Sequence, residues 1–122
     1  MQQDKKVCVI GLGYIGLPTA ALLANTGYSV HGVDVNQYAV DVINQGKIHI
    51  VEPDLDTFVH SAVASGRLRA ATVPAPADVF MICVPTPFVH DNNPIPQPDL
   101  SYVEAGAKVI APFVCPGNII IL

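Results

Sequence analysis

The chain has 122 residues, of which 51% are hydrophobic and only 13% are charged. This size and composition predict one globular domain and exclude a disordered chain. The net charge of −4 disfavours binding to nucleic acid, no apolar run reaches the roughly 20 residues that span a bilayer, and Met1–Lys6 lacks the plan of a signal peptide.

The first third of the chain predicts a strand, a helix and a second strand. Lys5–Ile10 carries a continuous apolar run, which is typical of a parallel strand covered on both faces. A helix is predicted over Tyr14–Thr26, because Gly27 is a common residue just after a helix end and Pro18 falls in the first turn, where proline is tolerated. Tyr28–Val33 is the second predicted strand.

Two further helices are predicted after this strand. Asn36 can cap a helix that ends near Gly46 and carries Ala39, Val40 and Ile43 on one face. A third helix follows Pro53 and ends at Gly66, because an apolar stripe at helical spacing lies between them. The members of this stripe, predicted to be core, are Leu55, Phe58, Val59, Ala62 and Val63.

Three more strands complete the predicted sheet. Leu68–Val73 is a short strand, Val79–Val84 is a buried strand, and Ile119–Leu122 begins another. Strands and helices therefore alternate, which predicts an α/β fold with a doubly wound parallel sheet in the order 3-2-1-4-5.

A proline-rich loop and a fourth helix lie between the last two predicted strands. Phe88–Pro98 is the loop. Ser101 and Glu104 form a capping-box pattern that opens a helix over Tyr102–Ala111, with Tyr102 expected to pack on the sheet.

A three-glycine motif follows the first predicted strand and opens the first predicted helix. Gly11 permits a tight turn, Gly13 lets the backbone approach a phosphate, and Gly16 lets the helix pack closely on the sheet. The free N–H groups of Tyr14 and Ile15 then point at the phosphates, helped by the helix dipole. Three glycines that serve only as a turn are the alternative interpretation.

An acidic residue follows the second predicted strand, where dinucleotide-binding folds place the ribose contact. Asp34 can accept hydrogen bonds from both ribose hydroxyls and would repel a 2′-phosphate, so the pattern favours NAD over NADP. Val84, Pro85 and Thr86 leave the fourth predicted strand at the sheet edge where ligands bind, although on spacing alone an ordinary rigid loop is the favoured interpretation.

The cysteines and histidines show no metal-ligand spacing, and no metal site is predicted. Cys8 and Cys83 lie in apolar runs and are predicted to be core residues, whereas Cys115 is predicted to lie in a loop. An odd number of cysteines without a signal peptide predicts reduced thiols in a cytoplasm. No function is predicted for Asp91 or for the four histidines, which are His31, His49, His60 and His90.

Five segments together resemble the N-terminal domain of the UDP-sugar dehydrogenases that make UDP-uronic acids. They span nearly the whole chain and are Val9–Pro18 (VIGLGYIGLP), Gly32–Asn36 (GVDVN), Glu52–Pro53, Cys83–Pro87 (CVPTP) and Asp99–Ala105 (DLSYVEA). Within this family, Ile48–Leu55 resembles the branch that oxidises UDP-N-acetyl-D-mannosamine. The UDP-glucose branch tends to carry a tyrosine before the Glu-Pro pair and a glycine after it, and it remains the alternative.

The resemblance implies a Rossmann-type fold and an NAD-dependent oxidation, in two steps, of the C6 hydroxyl of a UDP-sugar to a carboxylate. The product would be UDP-N-acetylmannosaminuronate. The resemblance also implies that Val84, Pro85 and Thr86 contact the cofactor, and that Glu52 and Pro53 lie on a loop facing the substrate side. In one departure from the family pattern, Ala39 stands where many members carry a basic residue, five positions after the ribose acid.

The resemblance further implies that residues 1–122 are a fragment, the NAD-binding domain of a longer enzyme. The family's catalytic cysteine lies beyond residue 122, and Cys8, Cys83 and Cys115 do not match it. We therefore expect NAD binding without turnover. The UDP-sugar would bind only with the central and UDP-sugar-binding domains of a homo-oligomeric cytoplasmic enzyme. A non-catalytic nucleotide-sensing module is the alternative from a different class, because the glycine motif fits it equally well.

The hydropathy of the chain predicts one further property. The mean hydropathy is +0.44, and the sequence runs into four apolar residues at Ile119–Leu122. These features predict an exposed apolar patch with self-association or low solubility.

Overall fold

The computed structural model of the protein describes residues 5–89, 92 and 94–122. Strands and helices alternate in these residues as predicted. The elements are β1 (Lys6–Ile10), α1 (Gly16–Thr26), β2 (Ser29–Val33), α2 (Gln37–Asn44), α3 (Leu55–Ala64), β3 (Leu68–Ala71), β4 (Val79–Ile82), α4 (Ser101–Ile110), a 3₁₀ turn (Ala111–Phe113) and β5 (Ile119–Ile121). The predictions on His90 and Asp91 lie outside the described residues.

The five strands form one parallel sheet in the order β3-β2-β1-β4-β5, which confirms the predicted topology. The central strand β1 pairs with β2 on one side and with β4 on the other. Val9 therefore lies between Gly32 and Met81 in the register. The chain reverses its direction of winding between β1 and β4, and ligands of open α/β sheets bind in the crevice at such a point.

Successive residues of β1 enter two different cores, because side chains alternate between the faces of a sheet. Val7 and Val9 join the larger core, which α1, α2 and α3 cover, whereas Cys8 and Ile10 join a smaller core with Ile110 of α4. Burial on both faces explains why β1 is apolar throughout. Each large apolar side chain so buried contributes about 1.5–3 kcal/mol.

The end of α1 and the start of α2 follow their predicted capping chemistry. Gly27 follows α1 with φ 116°, a left-handed conformation suited to glycine, and its N–H donates to Ala24 O. The Asn36 side chain accepts hydrogen bonds from the N–H groups of Tyr38 and Ala39 at the start of α2.

The capping box predicted for α4 is wrong. Leu100 is the capping residue and Ser101 is already helical. The N–H of Ser101 donates instead to Asp99 Oδ1 at 2.9 Å. Asp99 therefore accepts from the Ser101 N–H, the bond that the pattern assigned to the Glu104 side chain, and the Glu104 N–H donates to Leu100 O.

The buried stripe of α3 is narrower than predicted. Leu55, Val59 and Ala62 are buried, but the Phe58 side chain is 39% exposed, so its assignment to the core is wrong. Phe58 is left exposed because α3 packs chiefly on α1 rather than broadly over the sheet.

The outer edge of β3 is protected by a side chain of α2. The Asn44 amide nitrogen donates to Ala70 O at 2.9 Å, and Asn44 Oδ1 accepts from the Ala70 N–H at 2.8 Å. One side chain thus satisfies both free backbone groups of an edge residue, which blocks pairing with another strand there.

Candidate functional site

A groove of about 750 Å³ lies over the carboxyl ends of the central strands. Its volume falls within the range of about 300–1,000 Å³ that is common for small-molecule and cofactor sites. The lining comes from the ends of β1, β2 and β4, the residue after β3 and one face of α4. The lining residues are Ile10, Gly11, Leu12, Gly13, Tyr14, Ile15, Val33, Asp34, Val35, Thr72, Cys83, Val84, Pro85, Tyr102, Ala105, Gly106 and Val109.

The floor of the groove is the glycine turn between β1 and α1. Gly11 has φ 94°, and a Cβ on it would lie 2.7 Å from Cys83 O. A Cβ on Gly16 would lie 1.6 Å from Gly11 O, inside any contact distance. These two glycines are therefore required by the turn itself, whatever ligand is present.

Gly13 differs from its two neighbours in the motif. A Cβ built on Gly13 would meet no atom within 4 Å, and its φ is not positive. The fold therefore has no steric need for glycine at this position. The open space lies directly in front of the N-terminus of α1, where a ligand's anionic group would approach.

Tyr14 and Ile15 line this space just before α1 begins. The N–H of Leu17 donates to Gly13 O at 3.1 Å, which begins the helical hydrogen-bond pattern. Tyr14 and Ile15 precede it, and their side chains are exposed. Amides in this position have no acceptor within the helix, and the helix dipole adds a partial positive charge beside them.

Asp34 follows β2 and supplies the acidic group of the groove. Its Oδ2 accepts a hydrogen bond from the Leu12 N–H at 3.0 Å, and its Oδ1 accepts one from the Asn36 N–H at 3.0 Å. A carboxylate offers about four acceptor positions, so two remain for a ligand. The bond to Leu12 joins the acid directly to the glycine turn.

One face of α4 forms an apolar wall that sequence reasoning did not assign to the site. Tyr102, Ala105 and Val109 lie on this face, and Tyr102 is 48% exposed rather than packed on the sheet as predicted. Gly106 allows the approach of the helix, because a Cβ there would lie 3.2 Å from Ile82 Cγ2. A glycine in the middle of a helix was the signal that could have indicated this close packing.

Cys83 lies where β4 meets the groove. Its N–H donates to Ile10 O at 2.7 Å, and its side chain is half-buried beside Gly16. Burial raises the pKa of the Cys83 thiol, which keeps it protonated near neutral pH. Cys8 is fully buried, as predicted, and Cys115 is exposed.

The structure brings most of the predicted cofactor residues together and leaves others apart. Gly11, Gly13, Tyr14, Ile15, Asp34, Val84 and Pro85 all line the groove, and Gly16 lies beneath it. Thr86 is exposed beyond the lining residues, and Glu52 and Pro53 are exposed on the loop before α3. The roles predicted for these three residues stay predictions.

The loop before α3 borders a second, shallower depression of about 450 Å³. It is lined by Gly46, Lys47, Ile48, Asp56, Thr57 and His60. The Nδ1 atom of the neighbouring His49 is buried and makes no hydrogen bond in the described part of the chain. This depression lies outside the glycine groove.

Among residues 5–89, 92 and 94–122, no three or more His, Cys, Asp or Glu side chains are grouped so as to hold a metal ion. None of the described helices has the length and apolarity needed to cross a membrane.

Comparison with known sequences shows that this chain matches one protein family. A family profile described as UDP-glucose/GDP-mannose dehydrogenase family, NAD binding domain, matches residues 5–122. An NDP-N-acetyl-D-galactosaminuronic acid dehydrogenase of Ralstonia nicotianae is 59% identical over 97% of this chain and 27% of its own length. A UDP-N-acetyl-D-mannosamine dehydrogenase of Campylobacter jejuni is 57% identical over all of this chain and 29% of its own. The chain thus spans little more than a quarter of these relatives.

Solved structures show the same relationship. The UDP-N-acetyl-mannosamine dehydrogenase Cap5O of Staphylococcus aureus superimposes with a TM-score of 0.89 at 42% identity, over 94% of this chain and 27% of that one. A GDP-mannose dehydrogenase of Pseudomonas aeruginosa, solved as a ternary complex, superimposes with a TM-score of 0.77 at 38% identity, over 85% of this chain and 24% of that one.

Proposed function

This chain belongs to the UDP-glucose/GDP-mannose dehydrogenase family as its NAD binding domain, and on that premise we propose that NAD binds in the groove over β1, β2 and β4. The observation that supports this position is the empty space at Gly13. Glycine is not needed there for the fold, but it leaves room for a ligand against the N-terminus of α1.

The pyrophosphate would lie against the start of α1. The N–H groups of Tyr14 and Ile15 would donate to its oxygens, and the positive end of the helix dipole would stabilise its charge. A side chain at Gly13 would stand between these amides and the ligand. The phosphates would therefore be held by backbone groups that the turn fixes before the ligand arrives.

The adenosine ribose would lie beside Asp34. The carboxylate has acceptor positions left for two hydroxyls, and its negative charge would repel a 2′-phosphate. This arrangement supports NAD rather than NADP as the cofactor.

The adenine would lie between β2 and the apolar wall of α4. Val35, next to Asp34, is 93% exposed although it is apolar, and it lines the groove together with Tyr102, Ala105 and Val109. A flat base between these side chains would cover them from water. That contact would favour binding by about 25 cal/mol for each Å² of apolar surface buried.

The nicotinamide end would lie beyond β4. Val84 and Pro85 line the groove there, and Thr86 follows them on the same loop. When bound, NAD accepts a hydride from the sugar carbon. Glu52 and Pro53 lie outside the groove, and we assign them to a surface that faces the sugar nucleotide in the intact protein.

A pair of glycine variants tests the cofactor site. We expect Gly13→Ala to lower NAD affinity in calorimetry by about tenfold or more, equivalent to about 1.4 kcal/mol, with little change in the free energy of unfolding. Gly16→Ala should instead destabilise the fold, because its Cβ would overlap Gly11 O.

The control for these measurements is Ser61→Ala, on the exposed side of α3. It should bind NAD as the parent chain does. Unchanged NAD affinity in a folded Gly13→Ala variant would contradict the proposed position of the pyrophosphate.

We further propose that the chain is the NAD-binding unit of a longer, homo-oligomeric cytoplasmic UDP-sugar dehydrogenase. The names of the relatives and the resemblance of Ile48–Leu55 support UDP-N-acetyl-D-mannosamine as substrate, oxidised at C6 to the carboxylate. The three free cysteines suit a reducing compartment. The 59% identity to the galactosaminuronic acid enzyme supports the corresponding N-acetylgalactosamine nucleotide as a second candidate.

The substrate is tested on the intact protein. NADH formation should be fastest, by kcat/KM, with UDP-N-acetyl-D-mannosamine in a panel that includes UDP-N-acetyl-D-galactosamine and UDP-glucose. The 122-residue chain alone should bind NAD and form no NADH. A higher kcat/KM with another sugar nucleotide in the panel would contradict the proposed substrate. NADH formation by the chain alone would contradict the proposal that it binds NAD without catalysing the oxidation.

A further inference from the structure

The hydrogen bonds of Asp34 join the glycine turn to the segment that follows β2. Its Oδ2 accepts from Leu12 N–H, in the middle of the glycine turn, and its Oδ1 accepts from Asn36 N–H, at the start of α2. Each bond is 3.0 Å long. The same carboxylate that faces the ribose position is therefore bonded to the segment that faces the phosphate position.

The Leu12 N–H lies beyond the last backbone acceptor available to it. The ladder between β1 and β2 ends with the bond from Gly11 N–H to Val33 O at 2.7 Å. The Leu12 side chain is fully buried against Gly32, so the residue cannot rotate outward to expose its N–H to water. Asp34 supplies the acceptor that the strand no longer provides, and a bond to a carboxylate is stronger than one to a neutral oxygen.

The backbone of Asp34 is itself fixed from the opposite side. Its N–H donates to Ala71 O at 3.1 Å, at the end of β3. Its neighbour Asn36 is held as the cap of α2 by bonds from Tyr38 and Ala39. The carboxylate thus reaches the turn from an anchored position.

We propose that Asp34 is a positioning residue that holds the glycine turn in its ligand-binding conformation, in addition to contacting the ribose. The ribose contact rests on the proposed function, but the hold on the turn does not, because it acts in the free protein. Loss of Asp34 should therefore weaken binding of the phosphate group even in a ligand that has no ribose hydroxyls.

Amide hydrogen exchange tests the turn without any ligand. In Asp34→Ala, exchange at Leu12 should accelerate at least about fivefold, the effect of losing one ordinary hydrogen bond, while the amides of Val7–Ile10 keep their protection. Asp34→Asn retains one oxygen acceptor and should give a smaller change, which keeps the test available if the alanine variant fails to fold. Asp41→Ala is the matched control, because it removes an exposed aspartate of α2 that accepts from the Gln37 side chain, and it leaves the bond between Leu12 and Asp34.

Binding of two nucleotides separates the two roles of the carboxylate. Calorimetry would compare ADP with 2′,3′-dideoxyadenosine diphosphate, which lacks both hydroxyls. We expect Asp34→Ala to weaken both, by about fivefold for the dideoxy compound and by more for ADP, whereas Asp41→Ala should leave both affinities within about twofold.

Each outcome bears on one claim. Unchanged exchange at Leu12, or a dideoxy affinity that is the same in Asp34→Ala as in the parent chain, would overturn the positioning role. Failure of the parent chain to bind ADP would overturn the proposed nucleotide site, and the exchange data would still decide whether Asp34 holds the turn.

Discussion

The glycines of the turn are alike in sequence but differ in physical purpose. Gly11 is required by its left-handed backbone and Gly16 by its approach to Gly11 O, so both serve the fold. Gly13 has space around it and serves the ligand. The distinction matters for mutagenesis, because Gly13 is the one glycine of the three that can be replaced without disturbing the fold.

Cys83 offers a chemical probe of the same groove. Burial raises the pKa of its thiol, so alkylation by iodoacetamide should be slower than at the exposed Cys115, and its rate should still be rising with pH above the ordinary thiol value of 9.0. Because Cys83 lines the groove, NAD should slow its alkylation but not that of Cys115. Peptide mass spectrometry at several pH values measures both rates, and equal protection of the two cysteines by NAD would contradict the prediction.

Sequence spacing was sufficient to predict which residues surround the turn, but not every contact among them. The order strand, three glycines, helix and acid places Gly13 and Asp34 at one sheet edge, since parallel strands share their carboxyl end. The hydrogen bond from the Leu12 N–H to Asp34 depends on where the backbone hydrogen bonds between β1 and β2 end. The spacing of residues in the sequence does not predict that position. Tyr102 was misplaced because an aromatic residue early in an amphipathic helix is equally suited to a core or a groove.

The start of α4 shows how a sequence pattern can point to the wrong cap. Ser101 and Glu104 have the spacing of a capping box, yet Asp99 accepts the bond from Ser101 N–H and the helix begins one residue earlier than the pattern requires. Ser, Asp and Asn compete for the same orphan amides, and the geometry of the preceding loop decides between them. The helix itself was predicted to within one residue of its bounds, which are Ser101 and Ile110.

The charge of Asp99 should make the start of α4 sensitive to acid. The Ser101 hydroxyl, followed by its backbone N–H, holds the pKa of the Asp99 carboxyl below its usual value of 3.8. A carboxyl whose pKa is lower in the folded state stabilises the fold above the unfolded value, and this contribution is lost as pH falls through the folded value. We expect the protection factor of the Ser101 amide, which is its exchange rate relative to an unfolded chain at the same pH, to fall only below about pH 4.

NMR titration of the Asp99 carboxyl measures this shift directly. Ser101→Ala should raise the pKa of Asp99 toward its ordinary value, because the hydroxyl donor is gone. Asp99→Asn should remove the acid dependence at Ser101, since an amide oxygen accepts at any pH. An Asp99 pKa that is identical in the parent chain and in Ser101→Ala would show that the hydroxyl does not contribute.

At the scale of the whole molecule, the sheet is protected at one edge and exposed at the other. Asn44 satisfies the free backbone groups of Ala70 on β3. On β5, Ile119, Ile120 and Ile121 are 57%, 51% and 45% exposed. Side chains on both faces of β5 are therefore uncovered, in contrast to the fully covered β1.

The exposed edge at β5 should make the 122-residue chain associate with itself. An apolar edge strand offers both unpaired backbone groups and a surface that water wets poorly. Light scattering should show a molar mass that rises with concentration, and Ile120→Lys should reduce that rise. Leu22→Lys, which changes an exposed apolar residue of α1, should reduce it much less. A constant monomer mass for the parent chain would contradict the prediction.

The topology of the sheet was predictable because alternating strands and helices leave few arrangements with right-handed connections. The exposed patch at β5 was predicted from the mean hydropathy together with the four apolar residues at Ile119–Leu122. The width of the α3 stripe was not, since it depends on α3 packing against α1 rather than across the sheet. Local patterns thus determine which elements form, whereas the neighbours of each element determine how much of it is buried.

The central position of β1 sets the order in which the molecule can fold. Lys6 pairs with Ser29 early in the chain, but Val7 meets its partner on the other side only at Val79. Closing the longer loop costs more chain entropy, so the half built from β1, β2 and β3 can assemble before β4 arrives. The groove lies at the boundary between the two halves, so it forms only after both have folded. A dinucleotide bound across that boundary would therefore make its contacts late in folding, and it should slow unfolding without increasing the folding rate.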